Sequence, residues 1–187
     1  EGFDGVAFLT DMGYPVIVIN GNYSNDRKRL TIAHELGHIV LHISPDFAIP
    51  DCRNKEEEAF SFAAEFLMPS DEIKGSLTDL RPSYLLPLKQ YWLTSMASIV
   101  HRAKDLGTIS SDKYKYLNVE LSRKGYKKKE PGNVSIDAPS LFYEAYQLFK
   151  TELHYTDSEL SHIFHLPIDV INHFCIRRRT HLYILKH

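Results

Sequence analysis

Between Arg29 and His42 the chain reads RLTIAHELGHIVLH, and no other stretch constrains the fold as tightly. It contains His34-Glu35-Leu36-Gly37-His38, an H-E-x-x-H pattern. Residues four apart share one face of an α-helix, so the two imidazoles are placed to grip a single metal ion. Glu35 projects beside them, toward the water that fills an open coordination position. Two neutral imidazoles, a metal-activated water and an adjacent carboxylate base are the working parts of a metallopeptidase. The bland alternative is a pair of core histidines satisfied by hydrogen bonds. It suits a lone histidine better than it suits the full pattern on a helix.

The helix is expected on independent grounds. Ser24, Asn25 and Asp26 are N-cap residue types. Leu30, Ile32, Ala33, Leu36, Ile39, Val40 and Leu41 cover most of the remaining surface, so the helix is expected to be deeply buried. A polar stripe of His34, His38 and His42 on such a helix needs partners.

The whole chain narrows the function classes. Its 187 residues suffice for one domain, or for one domain and a small appendage. A formal net charge of −2 argues against a protein that coats nucleic acid. No apolar run is long enough to span a membrane, and no secretory h-region opens the chain. Cys52 and Cys175 are too few for a disulfide framework, so a reducing cytoplasm is the expected compartment. The chain opens at Glu1 without a Met, which leaves room for residues upstream.

In order, residues 5–10 and 15–20 are short β-rich runs separated by Asp11-Met12-Gly13-Tyr14, so adjacent strands or a hairpin are expected before the helix. Such a sheet would offer an edge on which a peptide could lie as an extra strand. Residues 43–54 read as a loop. KEEEAFSFAAEFLMP, Lys55 to Pro69, has helical spacing at Ala59, Phe62, Ala63, Phe66 and Leu67, and Pro69 ends it. A metal held by His34 and His38 lacks its third protein ligand, and Glu56, Glu57 and Glu58 are the nearest carboxylates. Periodicity does not decide which of the three turns inward. His42 is a rival, though the all-histidine extension of this motif places its third His six residues after the second, where this chain has Ser44.

These two motifs, RLTIAHELGHIVLH and the downstream EEEAFSFAAEFLMP, in this order and separation, resemble the ImmA/IrrE family of bacterial and phage regulatory metallopeptidases. The resemblance covers roughly residues 1–125, and the remainder loosely. It implies that His34 and His38 are metal ligands, that Glu35 is the general base, and that Glu56, the first residue of Glu-x-x-Ala, is the third ligand ahead of Glu58. Phe60 stands where family members often carry a small polar residue, so no outer hydrogen bond is expected from that position. The implied cofactor is one Zn²⁺ per chain, with Mn²⁺ or another divalent ion as the alternative. The implied substrate is a protein, a helix-turn-helix repressor whose site-specific cleavage relieves repression after stress or during mobile-element induction. Nucleic acid enters, if at all, as a signal and not as the main ligand, and no membrane partner is expected.

The fold class that follows is α+β: a zincin-like (gluzincin-type) core of a small sheet and the HExxH helix, with the Glu-bearing helix beside it, then a helical C-terminal portion. The expected division is a metallopeptidase domain over 1–125, a basic flexible linker over 126–136, and a small, mainly helical region over 137–187. Residues 84–92 and 96–106 have the outline of a helix-turn-helix, with Ser98, His101, Arg102, Lys104 and Asp105 available for an outer face. The commoner arrangement is a helical hairpin packed on the peptidase core, and it is the reading taken. Should the helix pairs bind DNA or a repressor, the chain would be a non-catalytic regulator, but an intact Glu35 favours the enzyme. The tail holds helical runs near 141–149, 158–164 and 168–174, then Arg177-Arg178-Arg179 and a β-like stretch at 181–185. Cys52, four residues before Glu56, is a candidate latency ligand: a thiolate swinging into the open coordination position would displace the water.

Overall fold

The computed structural model of the protein describes residues 3–11, 13–43, 54–136 and 140–175. The fold is α+β, a small two-stranded sheet followed by helices. Cys52, Arg177–Arg179 and the β-like stretch at 181–185 lie outside the described residues.

Strands β1 (Gly5–Leu9) and β2 (Pro15–Ile19) pair antiparallel, with Gly5 opposite Ile19 and Leu9 opposite Pro15. Tyr14 N–H donates to Thr10 Oγ1 at 3.0 Å and Thr10 N–H to the Tyr14 carbonyl at 2.9 Å, which closes the hairpin. Helix α1 (Asn25–His42) follows, with Ser24 at its N-cap position. Asp26 in the first turn complements the helix dipole. Burial of α1 is one-sided: Thr31, Ala33, His34, Glu35 and Gly37 are buried, whereas Ile32 and Val40, expected inside, are exposed. Apolar residues all round the helix therefore overstated its depth.

Helix α2 (Lys55–Leu67) opens on Asn54, whose side chain accepts from Glu57 N–H, and it packs against α1. Helices α3 (Ser70–Leu77), α4 (Leu85–Trp92), α5 (Met96–Asp105) and α6 (Ser111–Arg123) build the main core. Ile73, Leu77, Leu85, Ile99, Val100 and Leu117 are fully buried in it. The apolar stripes of these helices, set at 3.6-residue spacing, meet here and supply the hydrophobic driving force. Arg102, which a DNA-reading helix-turn-helix would need on an outer face of α5, is buried. Its Nε donates to the Met68 carbonyl at 3.1 Å and its guanidinium pairs with Glu65.

The described chain divides into two compact units, the first reaching Ile136. Residues 126–136, expected as a solvated linker, are fastened within that first unit. Tyr126 packs against the main core. Glu130 accepts from Lys89 Nζ at 2.8 Å, Met96 N–H at 2.8 Å and Ala97 N–H at 3.2 Å. Asn25 Nδ2 donates to the Val134 carbonyl at 2.8 Å. The one acidic residue in the basic run thus finds a buried lysine and the free amides that open α5. The second unit contains α7 (Leu141–Gln147), a π-helical turn (Leu148–Glu152), α8 (Asp157–Phe164) and α9 (Ile168–Cys175) around Tyr146, Leu160 and Ile171. A Thr156–Glu159 capping box starts α8. Among the described residues no helix is long and apolar enough to cross a membrane.

Candidate metal centre

The 3.6-residue period of α1 places His34 and His38 one turn apart, and their Nε2 atoms lie 3.1 Å from each other. Glu56, in the first turn of α2, points at both: Oε2 is 3.3 Å from His34 Nε2 and Oε1 is 3.3 Å from His38 Nε2. These residues form a group that could hold a metal ion, each offering one ligand atom within 4.8 Å of the others. A tetrahedral zinc ion with bonds of about 2.0–2.1 Å sets its ligand atoms roughly 3.3 Å apart. The donor set, two imidazoles and a carboxylate, and its spacing both fit such an ion.

Charge alone does not explain why Glu56 sits there. Its side chain is 70% exposed, and an exposed carboxylate gains little from a histidine partner. The rotation of α2 is fixed by packing instead. Ala59 and Ala63 are fully buried. A Cβ added at Gly37 would lie 3.2 Å from both Cα and the carbonyl oxygen of Ala59, and 3.1 Å from Phe62 Cδ1. The absence of a side chain at Gly37 lets the two helices approach, and Ala59 on the contact face leaves Glu56 directed at the histidines. Replacing Gly37 by Val should therefore wedge the helices apart. The expected loss is about 1–3 kcal/mol of stability, with weaker metal binding as Glu56 is displaced. Thermal unfolding and zinc titration check this, and unchanged values for both would show that the contact tolerates a side chain.

Glu35 is buried at 8% exposure. Its Oε1 would lie 3.2 Å from a Cβ built on Gly5, and Thr31 Cγ2 only 2.5 Å from it. Gly5 thus lets β1 run close over α1 at the level of Glu35. A cleft of about 670 Å³ opens here, with Val6 and Ala7 of β1 on one side, Lys55 and Phe60 of α2 on the other, and His34, Glu35 and His38 on its floor. The Phe60 ring is 4.1 Å from the His34 ring and offers an apolar wall in place of a hydrogen bond. Among the described residues lining the cleft there is no tyrosine. Burial, then the neighbouring His34, holds the His38 imidazole below the usual histidine range, against the opposing pull of Glu56 and Glu35. A neutral ring is the form that ligates a metal.

Glu57 turns away from the histidine pair, and its carboxylate accepts from Asn54 Nδ2 at 3.0 Å. His42 and Glu58, the sequence rivals for the third ligand, stand outside the three-residue group. His42 Nδ1 faces His38 Nδ1 at 3.0 Å, and His42 Nε2 faces Glu58 Oε2 at 3.0 Å. That pairing escaped sequence reasoning. The signal was present in the third histidine at the same four-residue step.

No curated protein and no solved structure matches the chain significantly. With the HExxH helix, the Glu-bearing helix and the converging donor atoms in place, the match of residues 1–104 to the family described as IrrE N-terminal-like domain, peptidase family M78, has a structural counterpart, and the chain belongs to that family.

Proposed function

We propose that the protein is a zinc-dependent, site-specific endopeptidase of zincin-like (gluzincin-type) architecture, acting on a helix-turn-helix transcriptional repressor. The observation that carries this reading is the convergence of His34 Nε2, His38 Nε2 and the Glu56 carboxylate beside a buried Glu35, at the floor of an open cleft. Family membership supports a peptidase; the repressor and the relief of repression extend the ImmA/IrrE resemblance.

A bound zinc ion would supply Lewis acidity and lower the pKa of a water beside it. His34, His38 and Glu56 would hold it. Glu35 stands as the general base: its carboxylate takes the proton of the attacking water and returns it to the departing amine. Phe60 and the β1 wall line the path of a substrate chain. The peptidase domain is proposed over 1–125, and 137–187 is read as a small, mainly helical region after 126–136.

Zinc analysis of purified variants tests the centre. Losing any one ligand from a three-ligand site should cut affinity sharply, so His34→Ala, His38→Ala and Glu56→Gln should each be depleted of metal, whereas Glu57→Gln should retain it. Full metal in Glu56→Gln together with loss in Glu58→Gln would move the third ligand half a turn along α2. Incubation with the repressor encoded beside the gene tests the substrate. Inactivity on a generic substrate such as casein is consistent with narrow specificity.

A further inference from the structure

The His42 side chain is buried, only 4% exposed, yet both ring nitrogens are engaged. Nδ1 is 3.0 Å from His38 Nδ1, and Nε2 is 3.0 Å from Glu58 Oε2, whose side chain is 28% exposed. His42 thus reaches the His34–His38–Glu56 group from behind, through the rear nitrogen of His38, and is not itself one of its members. By contrast, the buried Nδ1 of His34 has no hydrogen-bond partner among the described residues. Of the two histidines, His38 alone is anchored from behind among the described residues.

The proton arrangement along this chain is determined once its ends are fixed. A ligating Nε2 on His38 carries no proton, so the neutral ring carries it on Nδ1 and donates from there. His42 Nδ1 must then accept. Neutral His42 therefore carries its own proton on Nε2 and donates it to the Glu58 carboxylate. Donor and acceptor alternate without conflict from the carboxylate to the metal ligand. An outer partner of this kind fixes the tautomer and ring orientation of a ligand and raises its basicity.

We propose that His42 and Glu58 form a positioning relay that locks His38 in its metal-binding tautomer and rotamer. This rests on the reading of His38 as a ligand through Nε2. Neither residue is a catalytic residue: each acts through His38. The relay spans the two metal-bearing helices, since His42 lies in the last turn of α1 and Glu58 in the first turn of α2. It therefore ties the register of α2, and with it the placement of Glu56, to the orientation of His38.

The test compares His42→Leu with His42→Gln in the full-length protein, reading zinc affinity by competition with a chromophoric chelator, alongside ring ¹⁵N spectra. Leucine fills the buried space and removes both polar contacts, so zinc affinity should fall about 10–100-fold. Glutamine can accept from His38 Nδ1–H and donate to Glu58, so affinity should stay within a few-fold of wild type. A packing role predicts the reverse order, because a buried site tolerates leucine better than an amide. Zinc-loaded wild type should show His42 as the Nε2–H tautomer and a slowly exchanging Nδ1–H proton on His38. This measurement stands even if the leucine variant fails to fold. Wild-type affinity in a folded His42→Leu, or an Nδ1–H tautomer at His42, overturns the relay while leaving the metal centre intact. A wild-type protein that takes up no zinc overturns the metal centre, and the relay with it.

Discussion

Exchanging Glu35 for glutamine should leave zinc bound and the fold intact while peptide hydrolysis falls by about 10²–10⁴-fold, the range contributed by a positioned general base. The substitution changes size very little at a site where size matters. Glu35 is buried under β1, and its Oε1 is close to where a Gly5 side chain would begin. The amide fits that space but cannot take the water proton. Three measurements on one preparation separate the effects: zinc content, melting temperature, and cleavage of the proposed repressor substrate. Metal and stability at wild-type values with cleavage lost is the expected pattern. Cleavage at the wild-type rate would remove Glu35 from the mechanism and reopen the non-catalytic reading.

A large effect on stability is expected far from the cleft, from Lys89→Met. Lys89 is 2% exposed, and its ammonium group donates to Asp26 Oδ2 at 2.6 Å and to Glu130 Oε2 at 2.8 Å. The side chains of Asp26 and Glu130 are themselves only 7% and 11% exposed. Removing the cation strands two carboxylates in a poorly solvated place, a class of change that costs about 3–5 kcal/mol. The thermal transition should fall accordingly. Restoring neutrality with Asp26→Asn and Glu130→Gln in the same chain should recover part of the loss, since the penalty comes from the unpaired charges. A Lys89→Met protein as stable as wild type would mean the cluster is hydrated.

The same cluster sets a pH dependence with a definite sign. Burial pushes the Asp26 carboxyl up, but hydrogen bonds from Lys89 and Ser24 and the Lys89 charge outweigh it and hold the group below its ordinary 3.8. Burial pushes Lys89 down, and its bonds to Asp26 and Glu130 outweigh that and hold it above its ordinary 10.5. The Asp26 contribution is therefore present above pH 3.8 and is lost as pH falls through the lower folded value. The Lys89 contribution is present below pH 10.5 and is lost as pH rises through the higher folded value. Between these limits the cluster should stabilise steadily. The gap in stability between wild type and Lys89→Met should narrow on the acid side, because protonation relieves the stranded carboxylates of the variant.

By itself the sequence determined what short-range periodicity can determine. The four-residue step from His34 to His38 becomes a shared helix face because an α-helix turns every 3.6 residues. The β-rich runs at 5–10 and 15–20 became β1 and β2, since short runs rich in β-branched and aromatic residues on either side of turn residues favour paired strands. Pro69 ends α2 before the next helix starts at Ser70 because proline disfavours helical geometry in the residue before it. Three consecutive glutamates defeated this kind of reasoning. Their direction depends on the rotation of α2 about its own axis, and that rotation is set by the contact of Ala59 with Gly37 of α1. The inward turn of Arg102, the pairing of His42 with Glu58, and the capture of Lys89 by Asp26 and Glu130 are of the same kind. Each joins residues distant in the chain or on separate elements, where no local spacing records who meets whom. Only the packing of α1, α2, α4 and α5 decided those partners, because buried polar groups must be satisfied by whatever the fold brings within reach.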